Sequence, residues 1–312
     1  MADTRDRAQN KKTFDVEDPW RELVSALESD ASWRSLVVVG TVDSGKSTLC
    51  RFIGAHFAHQ FRTAAVDCDP GQSVLGPPTT LGFAWEPLAT DQPVAMRFIG
   101  STSPAGHYMQ MLTGIRRLAD RAVELGAERQ IFDSSGYPAT QIGKEFFFQK
   151  LDLLAPDHVA ALQEDDELEP LLRLFAGRAK PRIHRLPISR SVIGRNQATR
   201  RVYRQEKFKR YFKDGFEQML ALDRVGLRGV TQALEVSVNW RNRLVGLCDA
   251  DGYAVVLGIL KQVNRDRSRV WLHGPPFKND RIASVELGSV RLDHRSGREI
   301  RSPRRVYRVV ND

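Results

Sequence analysis

The segment 37–50, VVVGTVDSGKSTLC, contains the residues whose spacing points most directly to chemistry. Gly40, Gly45, Lys46 and Ser47 complete the pattern G-x-x-x-x-G-K-[ST] directly after three valines. In this pattern the glycines let several backbone N–H groups face one anion, the lysine reaches the β- and γ-phosphates, and the serine ligates Mg²⁺. We therefore expect one continuous loop to hold the phosphates of a nucleoside triphosphate: Gly40, Thr41, Val42, Asp43, Ser44, Gly45, Lys46, Ser47 and Thr48.

Two carboxylates follow in the segment VDCDPGQ, at 66–72. Asp67 and Asp69 come at the carboxyl end of a predicted strand, which is where open α/β sheets bind ligands. Residues two apart on a strand point to the same side, so both side chains can face one site. One of them can accept a proton from an acceptor hydroxyl while the other holds Mg²⁺ through water. The predicted magnesium ligands are therefore Ser47, Asp67 and Asp69.

Two further segments carry side chains suited to phosphate. The segment GSTSPAGHY at 100–108 places hydroxyls at a strand end, which suits a phosphate contact, although taken alone it favours an N-cap for the next helix. The segment RNQATRRVYRQEKFKRYF at 195–212 collects arginines and lysines on one predicted helix. A charge run usually marks a solvated face, but arginine suits forked phosphate contacts. The helix is therefore a candidate lid for phosphoryl transfer.

Other nucleotide-binding classes lack their signatures in this sequence. The Asn-Lys-x-Asp motif that reads guanine is missing, and so is an LSGGQ-like transporter signature. The segment DSSG at 133–136 does resemble the DxxG motif of GTPases. A nucleotide-hydrolysing switch therefore stays open as an alternative.

Apolar runs and helical spacing alternate along the first two thirds of the chain. Strands are predicted at 35–40, 62–69, 94–101, 129–134, 158–163 and 182–189, and helices at 16–28, 46–59, 106–125, 140–154, 164–176 and 195–212. This alternation predicts a mostly parallel sheet with helices on both faces. Beyond 222, short strands such as 234–240 and turn residues predict an all-β unit. The expected organisation is an N-terminal extension over 1–34, partly disordered with one helix, a phosphate-loop domain over 35–221 with its lid helix at about 195–214, and a β domain over 222–312.

The composition restricts the class of protein further. The chain has 312 residues, of which 41% are hydrophobic and 27% charged, as in globular proteins. No apolar run is long enough to span a membrane, and the three scattered cysteines are typical of reduced thiols in a cytoplasmic protein. The net charge of +9 and the pI of about 9.7 favour a polyanionic partner.

With these segments in this order, the chain resembles the polynucleotide 5′-hydroxyl kinases, a family that includes archaeal RNA 5′-kinases and eukaryotic kinases of tRNA splicing, mRNA 3′-end formation and pre-rRNA processing. The resemblance covers about 35 to 300 and implies transfer of phosphate from ATP, with Mg²⁺, to the 5′-hydroxyl of RNA, with DNA as an alternative acceptor. DCDPGQ resembles the family's acidic strand, which implies that Asp69 is the general base and Gln72 an accessory residue. STSP resembles the clasp that grips substrate phosphate, which implicates Thr102 and Ser103.

The arginine-rich helix resembles the lid of the same family. Arg200 and Arg204 are four residues apart and share a helix face, so we expect them to stabilise charge on the transferring phosphate. Arg195 and Arg201 are expected to contact RNA. Tyr137 stands where the family has a tryptophan that stacks on the substrate, and an aromatic ring can stack on a base. The family's N-terminal β domain has no counterpart in the 34 residues here, so its adenine contacts are not carried over.

Two rival interpretations use the same residues. One is a catalytically silent RNA-binding scaffold on the same fold, which has no need for the complete set of Lys46, Ser47, Asp69 and lid arginines. The other is the P-loop switch built on DSSG, which hydrolyses nucleotide without a polynucleotide acceptor.

Overall fold

The structure, a computed structural model, describes residues 18–229, 240–264 and 268–300. The predicted polar stretch at 1–15 lies outside the described residues. The first element is helix α1, Asp18–Glu28. Its apolar residues Trp20, Leu23 and Leu27 are buried against the first sheet, as the spacing of the segment 16–28 predicts.

The first sheet has seven strands in the order β4-β3-β2-β5-β1-β6-β7. The neighbouring strands in the part β2-β5-β1-β6-β7 are parallel to one another. At the other edge, β3 pairs antiparallel with both β2 and β4. This confirms the predicted mostly parallel sheet, and β3 is a strand that the sequence interpretation missed. The strands are β1 Ser35–Gly40, β2 Thr63–Cys68, β3 Thr80–Trp85, β4 Ala95–Phe98, β5 Arg129–Ser134, β6 His158–Leu162 and β7 Arg182–Leu186.

Helices cover both faces of this sheet because neighbouring side chains of β1 point in opposite directions. Leu36 and Val38 pack with α1 and α2 on one face, and Val37 and Val39 pack with α3 and α4 on the other. The helices are α2 Lys46–Phe57, α3 Tyr108–Glu124, α4 Gln141–Leu154, α5 Glu169–Leu172 and α6 Gln197–Phe212. None of the described helices combines the length and the apolar character that crossing a membrane requires.

Helix α5 is much shorter than the helix predicted over 164–176. The carboxylate of Glu167 accepts the backbone N–H groups of Glu164 and Asp165, at 3.1 and 3.0 Å. These bonds hold residues 164–168 in bends and turns. The residues before Glu169 therefore form a turn instead of a first helical turn.

The second sheet has six strands in the order β8-β12-β11-β10-β13-β9. It begins at Phe216, upstream of the boundary predicted at 222. The predicted strand at 234–240 lies almost entirely outside the described residues. The strands are β8 Phe216–Ala221, β9 Gly226–Gly229, β10 Arg243–Cys248, β11 Ala254–Val263, β12 Arg269–Gly274 and β13 Ser284–Arg291, with a 3₁₀ turn at Asn279–Arg281.

The two sheets meet around α6 and the end of β4. Phe98 of β4 and Phe208 of α6 share one apolar cluster with Leu244 of the second sheet. Gly100, with φ of 76°, comes so close to Gly288 that an added Cβ would lie 2.6 Å from its Cα. Its carbonyl accepts the N–H of Ser289 at 2.8 Å. Only glycine allows the two backbones to come this close. The contact with Gly288 and Ser289 therefore fixes where the segment after β4 leaves the first sheet.

Candidate active site

The phosphate loop joins β1 to α2 with the predicted geometry. Gly45, with φ of 90°, turns the chain into the first turn of α2. The Lys46 side chain is only 7% exposed, and its ammonium donates to the Thr41 carbonyl and, at 3.3 Å, to the Ser44 hydroxyl. Burial lowers the pKa of Lys46, while the nearby Asp133 carboxylate favours the charged form. The loop therefore curls around a fixed cation at the start of a helix, which is an arrangement suited to phosphate.

Asp133 is a site residue that the sequence interpretation missed. It is the penultimate residue of β5, directly beside Val38 of β1 and Asp67 of β2. Ser47 hydrogen-bonds to its carboxylate, and burial raises the pKa of Asp133 to about 6. Its Oδ1 is buried and has no hydrogen-bond partner in the described part of the chain. A serine hydroxyl beside a carboxylate with a spare oxygen fits the magnesium site of P-loop proteins, where phosphate oxygens supply further ligands.

Asp67 does not fit its predicted role as a magnesium ligand. Its side chain is 4% exposed, and its two oxygens accept hydrogen bonds from the chain that follows β2. Oδ1 accepts the N–H of Asp69 at 3.0 Å, and Oδ2 accepts the N–H groups of Val74 and Leu75 at 2.5 and 2.9 Å. Oδ2 also accepts the Ser73 hydroxyl at 3.2 Å. Burial raises the pKa of Asp67 to about 7. The structure therefore uses this carboxylate to fold the loop that presents Asp69.

Asp69 is half-buried at the end of the same strand, with one oxygen engaged and one available. Oδ1 accepts the N–H groups of Gly71 and Gln72, at 2.8 and 3.0 Å. In the described residues, Oδ2 accepts no hydrogen bond. Asp69 follows the carboxyl end of β2 and Lys46 follows the loop after β1, and both strands pair in parallel with β5, so the two groups lie on the same edge of the sheet. An oriented carboxylate with a free oxygen is the geometry that a general base needs.

Gln72 and the clasp residues adjoin this carboxylate. The Gln72 amide donates to the Gly71 carbonyl at 2.8 Å, and an added Cβ on Gly71 would lie 2.5 Å from the Thr102 carbonyl oxygen. Thr102 is half-buried and Ser103 is exposed. The structure therefore brings the predicted clasp and the acidic strand together, although their sequence positions are far apart.

The lid helix α6 lies against the phosphate loop through its first turn. Arg200 donates to Asp43 of the loop at 2.6 Å, and the backbone N–H of Arg195 reaches the same carboxylate oxygen at 2.7 Å. Farther along the helix, the Tyr203 hydroxyl and the Lys207 ammonium both donate to the Ser73 carbonyl, at 3.0 and 2.9 Å. The lid is thus attached to the phosphate loop at one end and to the loop after β2 at its middle.

The structure separates the four predicted lid arginines. Arg204 does not accompany Arg200, because its guanidinium donates to Glu299 at 2.8 Å. Arg200 contacts the phosphate loop whereas Arg204 is paired with Glu299, so this arrangement does not fit the expectation that both arginines reach the phosphates. The side chains of Arg195 and Arg201 are exposed.

Tyr137 does not offer the stacking surface predicted for it. Its side chain is 8% exposed and belongs to the core on the α3 and α4 side of the sheet. The ring meets Phe147 edge to face, with 5.2 Å between the centroids. A ring packed in this way has no free face for a base, so the structure corrects this expectation.

A second buried lysine, Lys150 of α4, also escaped the sequence interpretation. Its side chain is 1% exposed, and its ammonium donates to the Ser134 hydroxyl at 2.8 Å while lying 3.7 Å from the centre of the Phe147 ring. Burial lowers the pKa of Lys150 to about 8. The hydrogen bond to Ser134 places this cation next to the residue that follows Asp133 on β5.

These features define a P-loop nucleotide-binding protein: a phosphate loop between a strand and a helix, the Ser47–Asp133 pair, and a parallel sheet whose carboxyl edge carries both. Residues 40–214 match the family described as the mRNA cleavage and polyadenylation factor CLP1 P-loop. The match spans more than half of the chain, and the chain belongs to that family. The family resemblance drawn from the motifs is thereby confirmed.

Several known proteins are similar over nearly their whole length. The polyribonucleotide 5′-hydroxyl-kinase of Methanocaldococcus jannaschii is 25% identical over 347 residues, covering 92% of this chain and 95% of the relative. The protein of the same name from Thermococcus kodakarensis is 27% identical over 343 residues, with 91% and 95% covered. The corresponding protein of Pyrococcus furiosus is 23% identical over 337 residues, with 90% and 94% covered.

The fold is also that of a solved structure. The Clp1p chain in the wild-type Clp1p–Pcf11p complex superimposes with a TM-score of 0.68 over 87% of this chain and 78% of that chain. The sequences are 13% identical. At this level of identity the likeness shows a shared fold, which confirms the predicted fold class of a P-loop sheet with helices on both faces and a smaller β sheet.

Proposed function

We propose that this protein is an ATP- and Mg²⁺-dependent polynucleotide 5′-hydroxyl kinase, with RNA as the acceptor and DNA as an alternative. The observation that carries the proposal is the free oxygen of Asp69 on the same sheet edge as Lys46 and the Ser47–Asp133 pair. Phosphoryl transfer requires a phosphate cradle, metal ligands and a residue that orients the nucleophile. The names of the relatives, which match over most of the chain, support the same activity.

The nucleotide is held by the phosphate loop. The backbone of residues 40–48 surrounds the phosphates, and the Lys46 ammonium turns to the β- and γ-phosphates. Ser47 and Asp133 are the residues that would hold Mg²⁺, and the ion would supply positive charge that neutralises the phosphate oxygens. The positive charge of Lys150 offsets part of the negative charge of Asp133 and Asp69.

The acceptor reacts on the Asp69 side. The 5′-hydroxyl oxygen attacks the γ-phosphorus, a new O–P bond forms, and the bond to the oxygen bridging the β- and γ-phosphorus breaks to leave ADP. Asp69 Oδ2 takes the hydroxyl proton. Arg200 stabilises charge on the phosphate in transfer, and Thr102 and Ser103 contact the phosphate that follows the first nucleoside.

The partner and the location belong to the same proposal. A net charge of +9 supports a polyanionic substrate such as RNA. Cys50, Cys68 and Cys248 are unpaired and buried, which supports a reducing, cytoplasmic location.

The two rival functions fit the site less well. A silent scaffold needs neither a pair of metal-binding residues nor an oriented carboxylate. Asp133 and Asp69 nevertheless both retain a carboxylate oxygen without a partner in the described residues. A switch that uses DSSG would rely on Gly136. An added Cβ on Gly136 would lie 2.3 Å from Val42, so this glycine is explained by packing against the phosphate loop.

The proposal is tested by transfer of labelled γ-phosphate from ATP. The acceptors are an RNA and a DNA oligonucleotide of one sequence with 5′-hydroxyl ends, and the matched control is the same RNA with a 5′-phosphate. We expect label in the 5′-hydroxyl RNA and none in the control. Binding of ATP without label in either 5′-hydroxyl acceptor would contradict the proposal.

A further inference from the structure

Asp43 of the phosphate loop contacts the start of the lid at two points, the backbone just before α6 and a side chain of its first turn. Its Oδ2 accepts the backbone N–H of Arg195 at 2.7 Å and the guanidinium of Arg200 at 2.6 Å. The side chains of Arg200 and Asp43 are 23% and 24% exposed. The pair is thus partly withdrawn from water, which strengthens it relative to a fully exposed ion pair.

The local backbone is shaped to make this contact. Asp43 has φ of 59°, in the left-handed region that aspartate tolerates better than most residues. The segment before α6 lies on the loop as well, because an added Cβ on Gly45 would be 3.3 Å from the Val192 side chain. Asn196 caps the helix by accepting the N–H of Thr199 at 2.8 Å.

The other contacts of α6 with the first sheet hold different parts of the helix. Tyr203 and Lys207 bind the Ser73 carbonyl, and Arg210 pairs with Asp91 near the carboxyl end. Among the described residues, the polar side-chain contact between the phosphate loop and the first turn of α6 comes from Asp43. Asp43 therefore sets where the Arg200 guanidinium lies.

We propose that Asp43 is a positioning residue for phosphoryl transfer, which holds Arg200 at the rim of the phosphate loop. A guanidinium has five N–H donors, and Asp43 engages one of its nitrogens. The remaining donors can bind the phosphate in transfer while the ion pair persists. The inference rests on the proposed kinase function, and it extends the expectation that Asp43 acts through the phosphate loop backbone.

A carboxylate beside a triphosphate also repels it. Asp43 therefore weakens ATP binding slightly while it raises the rate of the chemical step. This gives a signature that a residue needed only for folding does not produce. Removing the charge should lower kcat while the KM for ATP stays unchanged or falls.

The first test is a double-mutant cycle of Asp43→Asn and Arg200→Ala in the full chain. We expect Asp43→Asn to lower kcat by roughly 10- to 100-fold, the range of coupling between contacting residues. In the Arg200→Ala background it should cause no further loss. The matched control is Asp280→Asn, which changes an exposed aspartate of the second sheet's 3₁₀ turn and should leave kcat unchanged.

The second test does not depend on activity. Trypsin cleaves after arginine, and the lid segment offers Arg190, Arg195 and Arg201. If Asp43 anchors the first turn of α6, Asp43→Asn should raise the rate of cleavage in this segment several-fold in the nucleotide-free protein. Asp280→Asn should not change it.

Each outcome decides the inference. Unchanged kcat in Asp43→Asn overturns it, and so does a loss equal in both Arg200 backgrounds. An increase in kcat shows that the ion pair holds the lid in an inactive position and also overturns it. If the wild-type protein transfers no phosphate, the proposed function fails, and unchanged trypsin cleavage would then overturn the anchor itself.

Discussion

The nucleotide half and the acceptor half of the site are built in different ways. In the nucleotide half, the proposed phosphate contacts come from the continuous stretch 40–48, and the proposed metal contact is completed by Asp133 from the neighbouring strand β5. In the acceptor half, Asp69 follows β2, the clasp follows β4, and Arg200 comes from α6. These acceptor segments are brought together by packing between the two sheets.

This difference predicts that nucleotide binding and acceptor recognition respond differently to substitutions. Nucleotide binding depends on local backbone geometry, so it should tolerate changes elsewhere in the chain. Acceptor recognition depends on α6 and on Gly100, whose position the second sheet fixes. We therefore expect substitutions in the acceptor half to impair transfer while ATP affinity is largely retained.

The largest effect is expected in the nucleotide half. Lys46→Ala removes the cation at the β- and γ-phosphates and should lower kcat by roughly 10³-fold or more. Because burial disfavours the charged form of Lys46, removing the ammonium should leave the thermal unfolding midpoint close to that of the wild type. Steady-state transfer and a thermal melt measure both quantities. Full activity in Lys46→Ala would contradict the proposed role of the phosphate loop in binding ATP.

The two lid arginines sharpen the comparison within the acceptor half. Arg200→Ala should lower kcat by roughly 10²–10⁵, the range of arginine fingers, with a much smaller change in ATP affinity. Arg200→Lys should rescue poorly, because a point charge lacks the guanidinium fork.

Arg204→Ala is the matched control for that substitution. Because Arg204 pairs with Glu299, its removal should change kcat only a few-fold. Single-turnover transfer distinguishes the two variants, and equal losses would show that both arginines act on the phosphate.

The two aspartates at the carboxyl end of β2, Asp67 inside the strand and Asp69 just after it, are expected to differ in role, one in folding and one in chemistry. Asp69→Asn keeps the shape and loses the base, so kcat should fall by roughly 10²–10⁴ with stability retained. Asp67→Asn removes an acceptor from several buried donors and should cost about 1–3 kcal/mol in the free energy of unfolding. Urea unfolding beside the transfer assay checks both. A severe kcat loss without destabilisation in Asp67→Asn would reverse the assignment.

The smallest effect is expected in RNA binding. If three to five phosphates contact Lys and Arg side chains, RNA affinity should fall roughly 20- to 100-fold between about 50 and 200 mM salt. Equilibrium titration with a labelled oligonucleotide measures this slope. A flat dependence would argue against a basic RNA track on the acceptor half.

The sequence predicts the nucleotide half better than the acceptor half for a physical reason. The phosphate loop has fixed glycine spacing between a strand and a helix, so its signal is local. Asp133 has no such spacing, because its place beside Ser47 depends on β5 lying next to β1 in the sheet order. Lys150 looks like a solvated helix residue until its burial is known. The Arg204–Glu299 pair joins positions 95 residues apart, which no helix periodicity reveals.

The fold shows the same division. Alternating strands and helices predict the parallel sheet, because each apolar run is continuous and each helix is amphipathic. Strand β3, TLGFAW, was missed because its burial comes from pairing with β2 and β4 and its glycine weakens the strand signal. The aromatic ring of Tyr137 was assigned to a base, whereas the packing of α4 assigns it to the core.

The central claim, that the site phosphorylates a 5′-hydroxyl, is tested most directly by locating the transferred phosphate. An RNA oligonucleotide is incubated with the protein, Mg²⁺ and γ-labelled ATP and is then digested to nucleotides. The account predicts that the label appears on the 5′-phosphate of the first nucleotide only and that an equal amount of ADP forms. Release of the label as inorganic phosphate, with none on the RNA, would contradict the account and favour the nucleotide-hydrolysing switch.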